Sequence, residues 1–137
     1  MNDTANDIAE FRLKGWKKDH VILKIPGTDY QLELVPGEGI TEGSHEIGNR
    51  IRGRVHGRAL KMYRIGAGGN FIEPVNGHPR IVQGTVIASD PAHRKLLIDL
   101  VVPVWVDLND LQSAGDFRTG DLAHFYMHTG TSFTPIT

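Results

Sequence analysis

Residues 50–59 read Arg-Ile-Arg-Gly-Arg-Val-His-Gly-Arg-Ala, a strict alternation of long polar with small or apolar side chains. An extended chain separates those two sets, because successive side chains point to opposite faces. The segment therefore predicts a strand with Arg50, Arg52, Arg54, His56 and Arg58 on one face. Ile51, Gly53, Val55, Gly57 and Ala59 fall on the other. An inner face this small suits a strand that bends around a tight barrel. Lys61 to Ile65 would continue it past a bulge. At about 3.3 Å per residue, Arg50 to Arg58 spans roughly 27 Å.

The rest of the sequence offers partners for such a strand. Val21, Leu23 and Ile25 alternate, as do Tyr30, Leu32 and Leu34, and Pro26-Gly27-Thr28-Asp29 between them predicts a β-hairpin over 20–35. Phe71–Val75 and His78–Val82 flank Asn76-Gly77 as a second hairpin with an exposed tip. Ile81–Ala88 and Lys95–Val102 flank Ser89–His93 as a third. Val104–Leu108 predicts a short strand and 107–114 a single helical turn. Leu122–Thr129 predicts a closing strand with Ala123, Phe125 and Met127 inward and His124, Tyr126 and His128 outward. Ahead of these, Thr4-Ala5-Asn6-Asp7 resembles a capping box, and Ile8 and Phe11 would share one side of a short helix over 5–14 that ends at Gly15. Residues 36–48 and 66–70 are rich in glycine and predict loops.

The chain has 137 residues and no cysteine, which excludes disulfides, thiolate metal sites and a cysteine nucleophile. Its length predicts one domain over 1–137: a helix-and-hairpin extension over 1–47, a barrel core over 48–129 and a tail over 130–137. The start of the chain carries no basic and apolar leader pattern, and no run approaches the roughly 20 apolar residues of a membrane span, so the expectation is a cytoplasmic protein without a membrane partner. The formal net charge of −1 conceals blocks: −4 over 21–49, +6 over 50–64 and −4 over 99–137. That distribution argues against a general nucleic-acid coat and leaves room for one local basic surface.

The order of elements resembles an OB-type barrel. The curved strand at 49–59 is followed by the hairpin Gly84-Thr85-Val86-Ile87-Ala88-Ser89-Asp90-Pro91 … Leu96-Leu97-Ile98-Asp99-Leu100. A helical turn then precedes Thr119-Gly120-Asp121-Leu122-Ala123-His124-Phe125. The likeness covers roughly 48–129 and implies an all-β, OB-like small barrel with an N-terminal helix and hairpin added. It also implies ligand surfaces on the second and third barrel strands. Arg50-x-x-x-Arg54 and Arg54-x-x-x-Arg58 are similar to the arginine motif of PilZ domains, but the partner Asp/Asn-x-Ser-x-x-Gly is absent.

The arginine face is the sharpest chemical feature. Forked guanidinium donors at every second residue could track phosphates. Tyr63 or Trp105 could stack bases beside Arg50, Arg52, Arg54 and Arg58. The opposing interpretation is a solvated face, or one that pairs with the acidic segment 29–46. Trp105 faces outward with Val101, as an interface or under cover of the N-terminal segment. His124 and His128 lie about 13 Å apart on a strand, too far for one metal ion. Ser44-His45-Glu46 offers adjacency without triad geometry. The expectation is thus a non-enzymatic binding module for an anionic ligand such as single-stranded nucleic acid. The alternatives are a protein–protein or homo-oligomerising module and, third, a small hydrolase or isomerase. No catalytic residue, metal or cofactor is expected.

Overall fold

The computed structural model describes residues 6–136, and they are all-β. Eleven strands follow in chain order: β1 (Ala9–Lys17), β2 (His20–Lys24), β3 (Gln31–Pro36), β4 (Arg50–Ile65), β5 (Phe71–Glu73), β6 (Asn76–Gly77), β7 (Ile81–Asp90), β8 (Lys95–Asp99), β9 (Pro103–Asp107), β10 (Leu122–Met127) and β11 (Ser132–Pro135). Short 3-10 turns occupy Pro91–His93 and Ala114–Asp116.

The strands hydrogen-bond in the order β1-β2-β3-β11-β4-β10-β7-β8-β9, and two further pairings, β1–β4 and β4–β9, return both ends of that path to β4. Two hydrogen-bonded circuits therefore share one long strand. Along one edge, β4 pairs antiparallel with β1 over Arg50–Gly53 and then parallel with β9 over Val55–Arg58. Along the other edge it pairs with β11 over Gly53–His56 and with β10 over Ala59–Ile65.

The alternation predicted for 50–59 is present: Ile51, Gly53, Val55, Gly57 and Ala59 are buried. Their small size has a specific cause. A Cβ on Gly53 would collide with the Thr134 carbonyl and lie 2.7 Å from the Phe133 ring. A Cβ on Gly57 would collide with the Met127 methyl. The glycines let side chains of the neighbouring strands close onto β4. Past Ala59 the expected bulge is found. Phe125 pairs with Met62 and Met127 with Ala59, so three steps on β4 match two on β10. Leu60 and Lys61 are consecutive exposed residues, and the alternation resumes with Met62 buried and Tyr63 exposed.

Beyond Arg58 the β9 edge of β4 has no strand neighbour, and side chains take over. Gln112 accepts from Met62 N (2.9 Å) and donates to Met62 O (2.8 Å), and Asn109 donates to Leu60 O (3.1 Å). A carboxamide pairs with both backbone groups of Met62 as a strand would.

Several expectations are corrected. Of the helix read over 5–14, residues 9–14 are strand β1, residues 6 and 7 form a 3-10 turn ahead of it, and residue 5 lies outside the described residues. Ala9, Phe11 and Leu13 are buried while Glu10, Arg12 and Lys14 are exposed. The Ile8 and Phe11 pair fits helical spacing, but Ala9-Phe11-Leu13 fits a period of two, and backbone pairing with β2 and β4 decides between them. The Asn76-Gly77 tip is not free. Asn76 and Gly77 pair with Gln31 and Leu32 of β3, and Gly77 is buried. The helical turn lies at Ala114–Asp116 instead of within 107–114. The stretch read as a tail carries β11, whose Phe133 is fully buried and meets Phe11 edge-on at 5.5 Å.

Phe133 joins β1, β11 and the glycine of β4, so its removal should leave a cavity that no flexible neighbour fills. Phe133→Ala is expected to lower unfolding free energy by about 3–5 kcal/mol in urea titration. Thr134→Ala, one residue on and exposed, should stay within about 0.5 kcal/mol.

Candidate nucleic-acid interface

The outer face of β4 is a continuous stripe. It carries Arg50, Arg52, Arg54, His56 and Arg58 before the bulge, Leu60 and Lys61 at it, and Tyr63 after it. The structure divides the stripe into two halves of different character.

In the first half, acids from the entry into β1 meet the arginines. Glu10 lies 3.4 Å from Arg50 and 3.6 Å from Arg52. Asp7 Oδ2 accepts from Arg54 Nε and from Trp105 Nε1, both at 2.9 Å. The Asp7 side chain is only 10% exposed, and its Oδ1 has no partner among the described residues. His56 Nε2 lies 3.0 Å from Asp107 Oδ1. Trp105, expected to face outward, does so from β9 opposite His56 and is covered by Asp7, with Lys95 Nζ 5.2 Å from its ring centroid. The acids that meet Arg50, Arg52 and Arg54 thus come from Asp7 and Glu10, not from 29–46.

In the second half the cations are open. Arg58, Lys61 and Arg80 have no carboxylate within 4.0 Å among the described residues, whereas Arg64 lies 3.8 Å from Asp121. These cations rim an aromatic surface that the β4–β10–β7–β5 pairing assembles. Tyr63 pairs with His124, His124 with Gln83, and Gln83 with Phe71. Register partners share a face, so these four form one row, and Tyr126 stands two residues along β10. Tyr63 is 52% and Tyr126 54% exposed. Lys61 Nζ lies 5.3 Å from the Tyr63 ring centroid. His124 sits edge-on to Phe71 at 6.2 Å and to Tyr126 at 6.4 Å. Main-chain bonds tie the rim to this face: Met127 N donates to Arg80 O and His128 N to Arg58 O, each at 2.8 Å.

Of the residues singled out in the sequence, Arg58 and Tyr63 therefore share this open half, while Arg50, Arg52, Arg54 and Trp105 belong to the acid-covered half. Sequence reasoning placed Tyr126 and His124 outward but did not join them to Tyr63. Their register depends on the bulge, and neither Phe71 nor Gln83 has a local signal for the face it takes.

The glycine loop 66–70 is fastened to the same face. Gln83 donates from Nε2 to Gly69 O at 2.8 Å, and Thr85 Oγ1 lies 3.2 Å from Asn70 Oδ1. A Cβ on Gly68, whose φ is +141°, would collide with Gln83 Nε2. Elsewhere, Ser44 Oγ lies 2.8 Å from His45 Nδ1, closer than adjacency led one to expect. Both residues are exposed, and the same hydroxyl bonds the main chain of Thr41, which makes it a turn contact. His93 hydrogen-bonds Asp90 in the β7–β8 turn at 2.9 Å, and that bond is the main cause holding the Asp90 carboxyl below its ordinary range. Its small contribution is present above the usual carboxylate pKa and fades as pH falls through the depressed value. No group of three or more metal-ligating side chains is found among the described residues, and no helix there is long and apolar enough to cross a membrane.

No family model, curated protein or solved structure matches the chain significantly.

Asp7 holds two donors from different strands, so an isosteric amide should lose the charge-assisted part of both bonds. Asp7→Asn is expected to cost about 1–2 kcal/mol, discounted because Arg54 is 40% exposed to solvent. It should also shift the Trp105 fluorescence maximum. Unchanged stability together with an unchanged spectrum would contradict the contact.

Proposed function

We propose that the protein is a non-enzymatic binding module for single-stranded nucleic acid, and that the ligand lies across the open half of the β4 face and β10. The observation that carries this reading is the pair of half-exposed tyrosines, Tyr63 and Tyr126, on neighbouring strands beside unpaired Arg58, Lys61 and Arg80. Bases stack on aromatic rings whatever their sequence, and phosphates take the cations. Tyr63 and Tyr126 are diagonal neighbours, one strand and two residues apart, which sets them about 7–8 Å from each other, a spacing on the scale of successive unstacked bases.

The second circuit supports a finer architectural reading as a small OB-like barrel. β7, β8 and β9 form a meander, β9 runs parallel to β4, and β10 lies between β4 and β7. This is the connectivity of an OB barrel with its last strand moved to the front of the chain. On that reading the usual ligand face is β8 and β9. Here that face carries Trp105 beneath Asp7, which favours the uncovered β4–β10 side for the ligand.

The test is fluorescence anisotropy with a labelled 12-mer of single-stranded RNA between 50 and 300 mM salt. Three phosphate contacts predict a slope near −2 in log affinity against log salt. Tyr63→Ala and Tyr126→Ala should each weaken binding at least about fivefold. Their folding stability should stay within about 0.5 kcal/mol of the parent, as expected of exposed side chains. Arg58→Glu with Lys61→Glu should flatten the slope, whereas Arg52→Glu, at a site already facing Glu10, should change it little. Absence of binding at 50 mM salt would overturn the proposal.

A further inference from the structure

We infer that His124 reads base edges in this face, as a hydrogen-bond acceptor whose tautomer is fixed by the glycine loop, and that the module prefers cytosine over uracil at neutral pH. The inference rests on the proposed nucleic-acid reading and goes beyond it to a specificity-determining atom.

Gly69 sets the orientation of the whole hydrogen-bonded chain. Its carbonyl accepts from Gln83 Nε2 at 2.8 Å, which fixes which end of the Gln83 amide faces which way. The opposite orientation would set the amide oxygen against that carbonyl. Gln83 is buried, so water does not relieve such a clash. Gln83 Oε1 is thereby turned to His124 and lies 3.0 Å from Nδ1. An amide oxygen only accepts, so Nδ1 carries the proton. The lone pair of the neutral imidazole is then on Nε2, which has no protein partner among the described residues. Gly68 is part of the device, because a side chain there would push Gln83 away. Gln83 is a positioning residue and His124 the one that would touch the ligand.

The surroundings of His124 suit a flat ring. Phe71 and Tyr126 stand edge-on to the imidazole, and Tyr63 is its partner across β4. On this inference the 4-position of a pyrimidine stacked on either tyrosine lies against Nε2, where cytosine offers the N4 amine and uracil the O4 acceptor, with uracil N3–H one ring atom away as the competing donor. A lone pair selects the amine. The charged and titratable groups around the imidazole are Lys61, Tyr63 and Arg64 from β4, Tyr126 and the following His128 from β10, Arg80 beside β7 and Glu73 from β5, with Asp121 on Arg64. The cations attract C and U oligomers alike, so the ratio of affinities isolates the base edge.

The experiment compares C12 and U12 RNA by anisotropy at pH 8, together with the imidazole 15N spectrum of the free protein at pH 8. One hydrogen bond predicts a C12 preference of about two- to tenfold at pH 8. His124→Leu and Gln83→Met should each bring the pH 8 ratio toward one, and His128→Gln should leave it intact. The spectrum should show the proton on Nδ1. A proton on Nε2 overturns the inference whether or not any variant folds. Equal binding of C12 and U12 that still needs Tyr63 and Tyr126 overturns the role of His124 and leaves the nucleic-acid reading standing. Binding of neither oligomer overturns both.

Discussion

Four strands use the two edges of β4, and the exchange of neighbours along those edges is the constraint on which the structure turns. On one edge β1 ends at Gly53 and β9 begins at Val55. On the other β11 ends at His56 and β10 begins at Ala59. Where neighbours are exchanged, the incoming strand's side chains reach over the β4 backbone. Gly53 and Gly57 sit at these handovers, and a methyl at either would strike Phe133 with Thr134, or Met127 with Thr131. Close packing leaves no slack for such a methyl. The glycines also lack a side chain to pack and weaken a strand in isolation. Here pairing on both edges at Gly53, and with β9 at Gly57, offsets that weakness.

The same strand explains how the aromatic surface arises. Without the bulge at Leu60 and Lys61, the period of two would carry Met62 outward and Tyr63 into the core. The extra residue restores Met62 to the interior and puts Tyr63 beside His124. On the opposite edge β9 ends at Asp107, which leaves the β4 backbone beyond Arg58 without a strand neighbour, and the 108–116 connection meets it with Asn109 and Gln112. The connection after β9 therefore acts as a side-chain extension of the sheet. The outward tyrosine depends on the bulge against β10, and the loop completes the opposite edge of the same stretch.

Much of the fold was legible because it is written in local alternation. The 50–59 strand, the 20–35 hairpin and the 81–99 hairpin follow from period two and turn residues, and so does the inward face of Ala123, Phe125 and Met127. The failures share a cause. Residues 9–13 satisfy both a helical and an extended pattern over a short span, and only β2 and β4, distant in sequence, choose between them. Ser132 to Pro135 offers four residues with a single large apolar side chain, too little for periodicity to register. Yet a strand wedged between β3 and β4 needs no more. For the site, the arginine stripe was visible, but its division was not. Glu10 reaches the stripe because residues 9–17 form a strand beside it, and Asp7 because it stands in the turn that leads into that strand.

That division bears on where a polyanion would be held. Cations two residues apart on one strand face stand roughly 6.6 Å from each other, and each neighbouring pair repels by about 0.6 kcal/mol even at the dielectric of water. Over Arg50 to Arg54 two carboxylates cancel that repulsion from within the chain. An incoming phosphate would have to displace Glu10 or Asp7, exchanging one anion for another with little net gain. Over Arg58, Lys61 and Arg80 no such exchange is required, and phosphate binding there relieves like-charge repulsion instead of replacing an existing contact. The rings that could hold bases, Tyr63 and Tyr126, lie on that side of the boundary. Trp105, the more potent stacking residue by size, lies on the other with its indole N–H already bound to Asp7. Charge and aromatic surface thus coincide at the β4–β10 end of the stripe.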